Sequence, residues 1–461
     1  MNRLLAIILL SSVAAHAAPP DPNGVEARLA GAALMDGQAF ATVESLSDHI
    51  GQRLAGSPAA DRAVEWAVAT MKAAGLKNVH KEPVKVPRWV RGEESVELVA
   101  PARLPLRATA LGGSVGTPKD GLTAQVVEVS SVDELKALGD KIKGKIVLFN
   151  KVMQRTRSGD GYGQVVGLRG RGAVEAARLG AVAALIRSVG TGNYRLPHTG
   201  GTRYDDAVTK IPYAALAAED AEHLHRLIAR GEAVQVKLRL GAHRDGEVMS
   251  SNVVGEVPGR DKPDEVVLIG AHLDSWDLGA GAIDDGAGCA IVIETARLLT
   301  ALGLPARRTV RVVLYMNEEN GLSGANAYAA AHKGELAKHV AAMEADSGAG
   351  RPIGLSVAGG APSVALLRSL AEPLRTWLPT DVRSADWAGA DLIPLQAAGV
   401  PVLDVNQDMS AYFDWHHTAA DTVDKIDPID LALEVAAFSV ITHALADSPE
   451  VLPPPTAPPR W

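Results

Sequence analysis

Residues 271–288 read AHLDSWDLGAGAIDDGAG and follow directly on the apolar run EVVLIG at 265–270. Four aspartates and one histidine fall within this stretch, threaded with glycine. Carboxylates this close repel one another and are costly to take out of water unless something positive sits among them. An acidic surface loop would need no such explanation. The end of a core strand does, so the surrounding chain decides between the two.

Working outward, apolar runs of strand length alternate with helical patterns. EVVLIGA (265–271) leads into a helix around GCAIVIETARLLTALG, and TVRVVLYM (309–316) into one starting near Leu322. VAAMEAD (340–346) and VPVLDV (400–405) read as further strands, and Asp427-Pro428 opens a last helix ending near Asp447. Earlier, Ser57-Pro58 is a good helix start and Gly75 a stop, while HKEPVKVPRWV reads as an edge strand because its prolines cannot donate to a ladder. Near-continuous apolar strands alternating with helices indicate an α/β fold, a mostly parallel mixed sheet flanked by helices. In such sheets sites form at the carboxyl ends of the strands.

Histidines and carboxylates recur at those ends. Asn317-Glu318-Glu319 follows TVRVVLYM, Asp346 ends VAAMEAD, and His416-His417 lies beyond Val405. Mixed imidazole and carboxylate sets suit zinc or a similar borderline metal. His272, Asp284, Glu319, Asp346 and His417 make five ligands, more than one tetrahedral ion uses. Glu318 is left over beside them. Adjacent residues in extended backbone point opposite ways, so Glu318 and Glu319 are expected to have different tasks, and a free carboxylate beside a metal site is a natural general base.

The strings HLDSWD, IDDGAG, NEENGLSGA, EADSG and HHTAADT resemble the M28 family of di-zinc exopeptidases, and GAVEAARLGAVAALIRSVG, LPHTG, KIPYAAL and AAEDAEHL place the resemblance in its carboxypeptidase branch. The similarity runs from about residue 40 to 446. It implies the zinc-exopeptidase fold with two zinc ions per chain, Asp284 bridging them, the other four ligands terminal, and Glu318 as base. It also implies a cis peptide between Asp284 and Asp285, Asp274 orienting the His272 imidazole, and Asp391 in AGADLIPLQ as a supporting aspartate. The implied function is a secreted or periplasmic carboxypeptidase/dipeptidase acting on short peptides with free termini, working as a homodimer. An aminopeptidase of the same family is the alternative, and a receptor-like binding protein a more distant one. Asp277 and Asp285 read equally well as supports of the ligands or as loop caps. His416 reads as a packing or substrate-side neighbour, Tyr412 as a residue near substrate, and His223 and His225 as solvated helix residues.

The domain plan expected is a leader at 1–17, a discontinuous peptidase domain at 24–104 and 247–447, an inserted domain at 105–246 resembling the family's protease-associated domain, and a disordered proline-rich tail at 448–461. Arg3, the apolar run Leu4 to Leu10 and Ala15-His16-Ala17 have the pattern of a cleaved secretory leader. His198 falls in the inserted block. The net charge of −8 is mild, and with no basic stripe neither nucleic acid nor an anionic membrane is an expected partner. Cys289 is the only cysteine, which excludes an internal disulfide and a cysteine zinc site; its setting, GAGCAIVIET, is that of a buried small hydrophobe. Gly112-Gly113-Ser114-Val115-Gly116 matches the G-x-S-x-G of a serine nucleophile elbow, but TPKDG after it is a turn where a helix is required.

Overall fold

The computed structural model describes residues 24–377 and 381–459. The expected leader at 1–17 lies outside them. Two eight-stranded sheets carry the chain. In the first, spatial order runs Lys77–Val90, His243–Val257, Arg308–Tyr315, Lys262–His272, His339–Glu344, Val402–Gln407, Pro352–Ala358, Val382–Ala385. The four strands at its centre, Arg308–Tyr315, Lys262–His272, His339–Glu344 and Val402–Gln407, are mutually parallel, with antiparallel pairs toward the edges. Their carboxyl ends therefore open on one edge of the sheet. Lys77–Val90, with Pro83 and Pro87, is the outermost strand, as its prolines require.

Helices cover both faces. Pro58–Ala73, Ala287–Ala301 and Pro428–Asp447 close one apolar core, to which Met71, Ile291, Phe438 and Ile441 belong. Tyr315, Tyr328, Leu392 and Leu395 lie in the opposite core. The helix starts follow their caps: the Ser57 hydroxyl accepts from the Ala60 amide at 3.1 Å, and the Asp427 carboxylate from the amides of Ile429 and Asp430. By length and composition alone Pro428–Asp447 is apolar enough to cross a membrane, but it is the central helix of this core.

The second sheet runs Leu104–Leu106, Glu94–Ala100, Gln235–Leu240, Leu122–Val129, Ile146–Phe149, Ala183–Arg187, Tyr213–Leu216, Ala108–Ala110. Helices Val166–Arg178 and Ala218–Ala229 pack on it. Its membership moves both expected boundaries. Glu94–Ala100 pairs with Gln235–Leu240 and so belongs to the second sheet although it precedes residue 105. Residues 243–246, expected in the inserted block, instead begin the strand His243–Val257, paired with Lys77–Val90 from Val90↔His243 onward. The chain changes sheets at residues 91–93 and again at 241–242.

The tail differs from expectation as well. It has no regular structure to Pro459, yet Leu452 is 3% exposed and part of the main core, the Ser448 carbonyl accepts from Arg308 Nη1 at 2.5 Å, and the Ala457 carbonyl accepts from Gln396 Nε2. One leucine among prolines is enough to lay the segment down, because proline lowers the entropy that ordering must overcome. Ser114 is 1% exposed, donates to the Val115 carbonyl and accepts from the Tyr213 amide; no helix follows it, so it is a buried structural hydroxyl.

Candidate active site

Four parallel strand ends deliver the site. His272 is the last residue of Lys262–His272; Glu318 and Glu319 follow Arg308–Tyr315; Asp346 follows His339–Glu344; His416 and His417 lie on the long return after Val402–Gln407. The expected ligands meet around Asp284. His272 Nε2 lies 3.1 Å from Asp284 Oδ1 and 3.4 Å from Asp346 Oδ1. His417 Nε2 lies 3.1 Å from Asp284 Oδ2 and 3.0 Å from Glu319 Oε2. Asp284 thus has one oxygen in each of two donor groups, and its peptide bond to Asp285 is cis.

The donor atoms fit a metal. His272 Nε2, Asp284 and Asp346 donors lie within 4.8 Å of one another, as do those of Asp284, His416 and His417. Asp284 Oδ2 is buried without a hydrogen-bond partner. A cavity of about 10 Å³ is lined by Asp284, Glu319 and His417 and walled by Trp276, Thr418 and Asp421. That is room for one atom-sized guest. Charge says the same. Burial and the neighbouring Asp284 push the Glu319 carboxyl up to about 7. Burial alone would depress the His417 imidazole, but the Glu319 and Asp284 carboxylates lift it to about 9. Burial raises Asp284 too, yet the neighbouring His272 and His417 imidazoles hold it well below the usual carboxylate range. The raised Glu319 carboxyl and His417 imidazole mark a pocket that favours positive charge.

Local structure explains how each group is aimed. The Asp285 carboxylate takes the His272 amide at 3.0 Å and the Gly288 amide at 3.0 Å, so it both steadies the ligand strand and caps helix Ala287–Ala301. Cys289 is fully buried and donates Sγ–H to the His272 carbonyl at 3.1 Å; burial pushes its thiol up, away from any nucleophilic role. Asp274 departs from the expected part. Its backbone carbonyl, not its carboxylate, meets His272 Nδ1 at 2.9 Å. The carboxylate instead accepts from the amides of Asn317 at 2.6 Å and Glu318 at 3.1 Å, holding the segment that bears the two glutamates. Glu318 is half-buried, and burial pushes its carboxyl well above the ordinary range.

The remaining expected residues divide. Asp391 is fully buried with both carboxylate oxygens unpartnered, and burial lifts it to about 8; its amide donates to Glu344, an acid that sequence reading passed over. Asp277 is neither a ligand support nor a loop cap. It forms a two-pronged pair with Arg91, at 2.5 and 2.9 Å, where the chain changes sheets. The His416 ring stacks on His417 at 3.5 Å and also meets Tyr162, Tyr412 and Phe413. Tyr412 is packed among these rings. His225 is exposed and pairs with Glu128, and His223 shares its helix; His198 is buried instead, its imidazole driven down to about 4 by burial.

The second sheet reaches the site through Thr199 and Gly200, inside the LPHTG string, and through Arg169, which no motif singled out. The Thr199 amide donates to the His417 carbonyl at 2.9 Å, and Thr199 O and Arg169 Nη1 both lie 3.4 Å from His417 Nδ1. Arg169 is 7% exposed, its Nη2 donates to the Tyr162 hydroxyl at 2.6 Å, and its Nε has no partner. Among the described residues its guanidinium forms no ion pair. Gly200, at φ +131°, makes room for it: a Cβ there would lie 2.4 Å from Arg169 Cζ. On the first sheet, Arg53 is buried beside the Asp284 loop, and Asp421 accepts from the Ile283 amide at 2.7 Å. Nothing in the spacing of these residues marks them out, because each is defined by what it faces across the fold.

Comparison with known proteins places this geometry in context. The model of the family described as Peptidase family M28 matches residues 252–437. The chain is 40% identical over 408 residues to carboxypeptidase Q of Mus musculus, covering 88% of this chain and 85% of that protein. The crystal structure of a peptidase M28 precursor from Shewanella amazonensis SB2B superposes with a TM-score of 0.90 at 42% identity, covering 94% of this chain and 98% of that one. A zinc aminopeptidase from Bacillus subtilis has the same fold at a TM-score of 0.66 and 21% identity, over 90% of this chain and 98% of that one.

Proposed function

This chain belongs to peptidase family M28 and is a zinc metallopeptidase; from that premise we propose that it is a di-zinc carboxypeptidase/dipeptidase that cleaves short peptides with free termini. His272 and Asp346 would hold one ion and His417 and Glu319 the other, with Asp284 available to both. Zinc in such sites supplies Lewis acidity, polarising a carbonyl and lowering the pKa of water toward neutrality. Glu318 takes the proton of the attacking water and passes it to the leaving amine. Asp274 keeps that carboxylate aimed by holding the Asn317 and Glu318 amides.

The observation that carries the carboxypeptidase side is Arg169. A buried guanidinium without a carboxylate partner is expensive, and its planar fork matches a carboxylate. We assign it the free carboxylate of the substrate, with the Tyr162 hydroxyl beside it. The Mus musculus relative named above, 40% identical, is a carboxypeptidase Q, which supports the same choice. Export by a cleaved leader and assembly as a homodimer belong to this reading through the family resemblance.

The test is a panel of dipeptides and tripeptides, each as free acid, C-terminal amide and N-acetyl derivative. Free acids should be cleaved and amides strongly disfavoured. Amides cleaved as fast as acids, with N-acetylation abolishing turnover, would make the protein an aminopeptidase instead.

A further inference from the structure

We infer that Arg53 is a positioning residue for the metal centre: its guanidinium ties the strand end bearing His272 to the loop bearing Asp284 and thereby sets where the shared carboxylate stands. Arg53 lies in the turn between helices Ala39–His49 and Pro58–Ala73, and its side chain is 0% exposed. Nε donates to the Leu273 carbonyl at 2.5 Å, Nη1 to Ala280 at 2.8 Å and Gly51 at 3.5 Å, and Nη2 to Gly281 at 2.9 Å. Leu273 is the residue after His272, and Gly281 stands three before Asp284. The backbone of Arg53 is tied in as well, its amide to Ser275 Oγ and its carbonyl to the Ser275 amide.

Among the described residues Arg53 forms no ion pair, and the acceptors its guanidinium meets are backbone carbonyls. Three of these belong to the segment that joins His272 to Asp284. Leu273, Trp276, Ala282 and Ile283 anchor the segment in the apolar cores, while residues 277–280 between them are only partly buried and rest on Arg53 and Asp421. Gly281 adopts φ +62°, and a Cβ there would lie 2.4 Å from Ser275 Cβ and 2.7 Å from Arg53 Nη1, so the close approach requires glycine. Asp421 grips the same loop from its amide side, taking the Ile283 N–H on its carboxylate and the Ala280 N–H on its carbonyl. Carbonyls divergent in direction but close in space suit a planar fork; the compact ammonium of lysine cannot reach them together.

The inference rests on the reading of Asp284 as the shared ligand. Because Asp284 serves both donor groups, releasing its loop should weaken both ions together. The test compares Arg53→Ala, Arg53→Lys and Asp284→Asn with the wild-type protein, reading zinc affinity by chelator competition and thermal midpoint alongside. Arg53→Ala should bind both zinc equivalents about 10- to 100-fold more weakly, the range for outer partners of metal ligands. Added guanidinium ion should restore zinc binding, whereas Arg53→Lys should stay weak. Wild-type affinity in a folded Arg53→Ala, or a lowered thermal midpoint with zinc affinity intact, would overturn the inference and leave Arg53 as scaffold. Should Arg53→Ala not fold, Arg53→Lys decides: weakened affinity supports, wild-type affinity overturns. Asp284→Asn separates the two levels. If it keeps both ions, the reading of Asp284 has failed; if it loses both while the Arg53 variants lose neither, only the role of Arg53 has.

Discussion

The two sides of Asp284 are built in different ways. On one side, His272 ends a central strand, and its amide, carbonyl and Nδ1 are all engaged by neighbours on the first sheet: Asp285, Cys289 and the Asp274 carbonyl. On the other side, His417 sits in left-handed backbone at φ 62°, and both its carbonyl and its Nδ1 face Thr199 of the second-sheet unit. A non-glycine residue in that conformation costs of order 1 kcal/mol or more and persists where its surroundings over-determine it. The His272 side is thus complete within one sheet, while the His417 side is finished by the other. A second-sheet unit of this kind is part of the centre and not a cover laid over it.

Four experiments test that contrast. The largest effect should strike without regard to side. Glu318→Gln keeps shape and donors but cannot accept a proton, so kcat should drop roughly 10²- to 10⁴-fold with zinc content unchanged. Near-normal turnover with full zinc would assign the base elsewhere. Next, the two histidines should be separable. His272→Ala and His417→Ala should each leave about one tightly held ion, while Asp284→Asn should leave neither, by elemental analysis after dialysis. Loss of both ions from either histidine variant would mean the sides are not independent.

Arg169→Met should follow, acting from the second-sheet side alone. The ratio of kcat/KM for a free-acid dipeptide to that for its amide should collapse, with KM for the acid rising about 10- to 100-fold, as fits the loss of charge-assisted hydrogen bonds. An unchanged ratio would remove Arg169 from substrate recognition. The smallest effect concerns acid stability of the same side. Burial holds His198 down at about 4, whereas an unfolded histidine titrates near 6.5. Unfolded chain therefore binds the proton first, and the stability His198 contributes is present above pH 6.5 and lost as pH falls from 6.5 toward 4. The loss should be about 2 kcal/mol by pH 5. Denaturation of wild type and His198→Asn at pH 7 and pH 5 measures it; equal pH dependence in both would contradict this assignment.

Much of the first sheet was legible because its signals are local. Apolar strand runs, Ser57-Pro58 and Asp427-Pro428 announce elements by period and capping chemistry, and acidic residues at strand ends announce where they converge. The second sheet was harder to delimit. Glu94–Ala100 and Leu104–Leu106 are separated only by a turn with a cis Ala100–Pro101 bond, and nothing local says which sheet will claim them. Residues 243–246, HRDG, carry no local sign of which sheet claims them, because an outer two-stranded ribbon exposes charge as a loop does. Leu452 was hidden by its prolines. Asp274, two residues after His272, invited pairing with the imidazole, but its own carbonyl filled that place and freed its carboxylate for the glutamate segment. Arg53 and Arg169 could not have been found by pattern. One is defined by carbonyls gathered from distant segments, the other by a buried guanidinium with no ion pair among the described residues.

The pairing of Val90 with His243 makes the two ends of the second-sheet unit next-door neighbours on adjacent antiparallel strands. Topologically, everything between them is a very large hairpin loop. Residues 91–242 can therefore be excised on paper and replaced by a two-residue turn, leaving an ordinary β-hairpin at the edge of an otherwise intact sheet. Such a miniaturised chain would keep His272, Asp346 and Arg53 with their local supports but lack Thr199 and Arg169. It would be a scaffold on which a different unit, with a different preference for chain ends, could be grafted at a single seam.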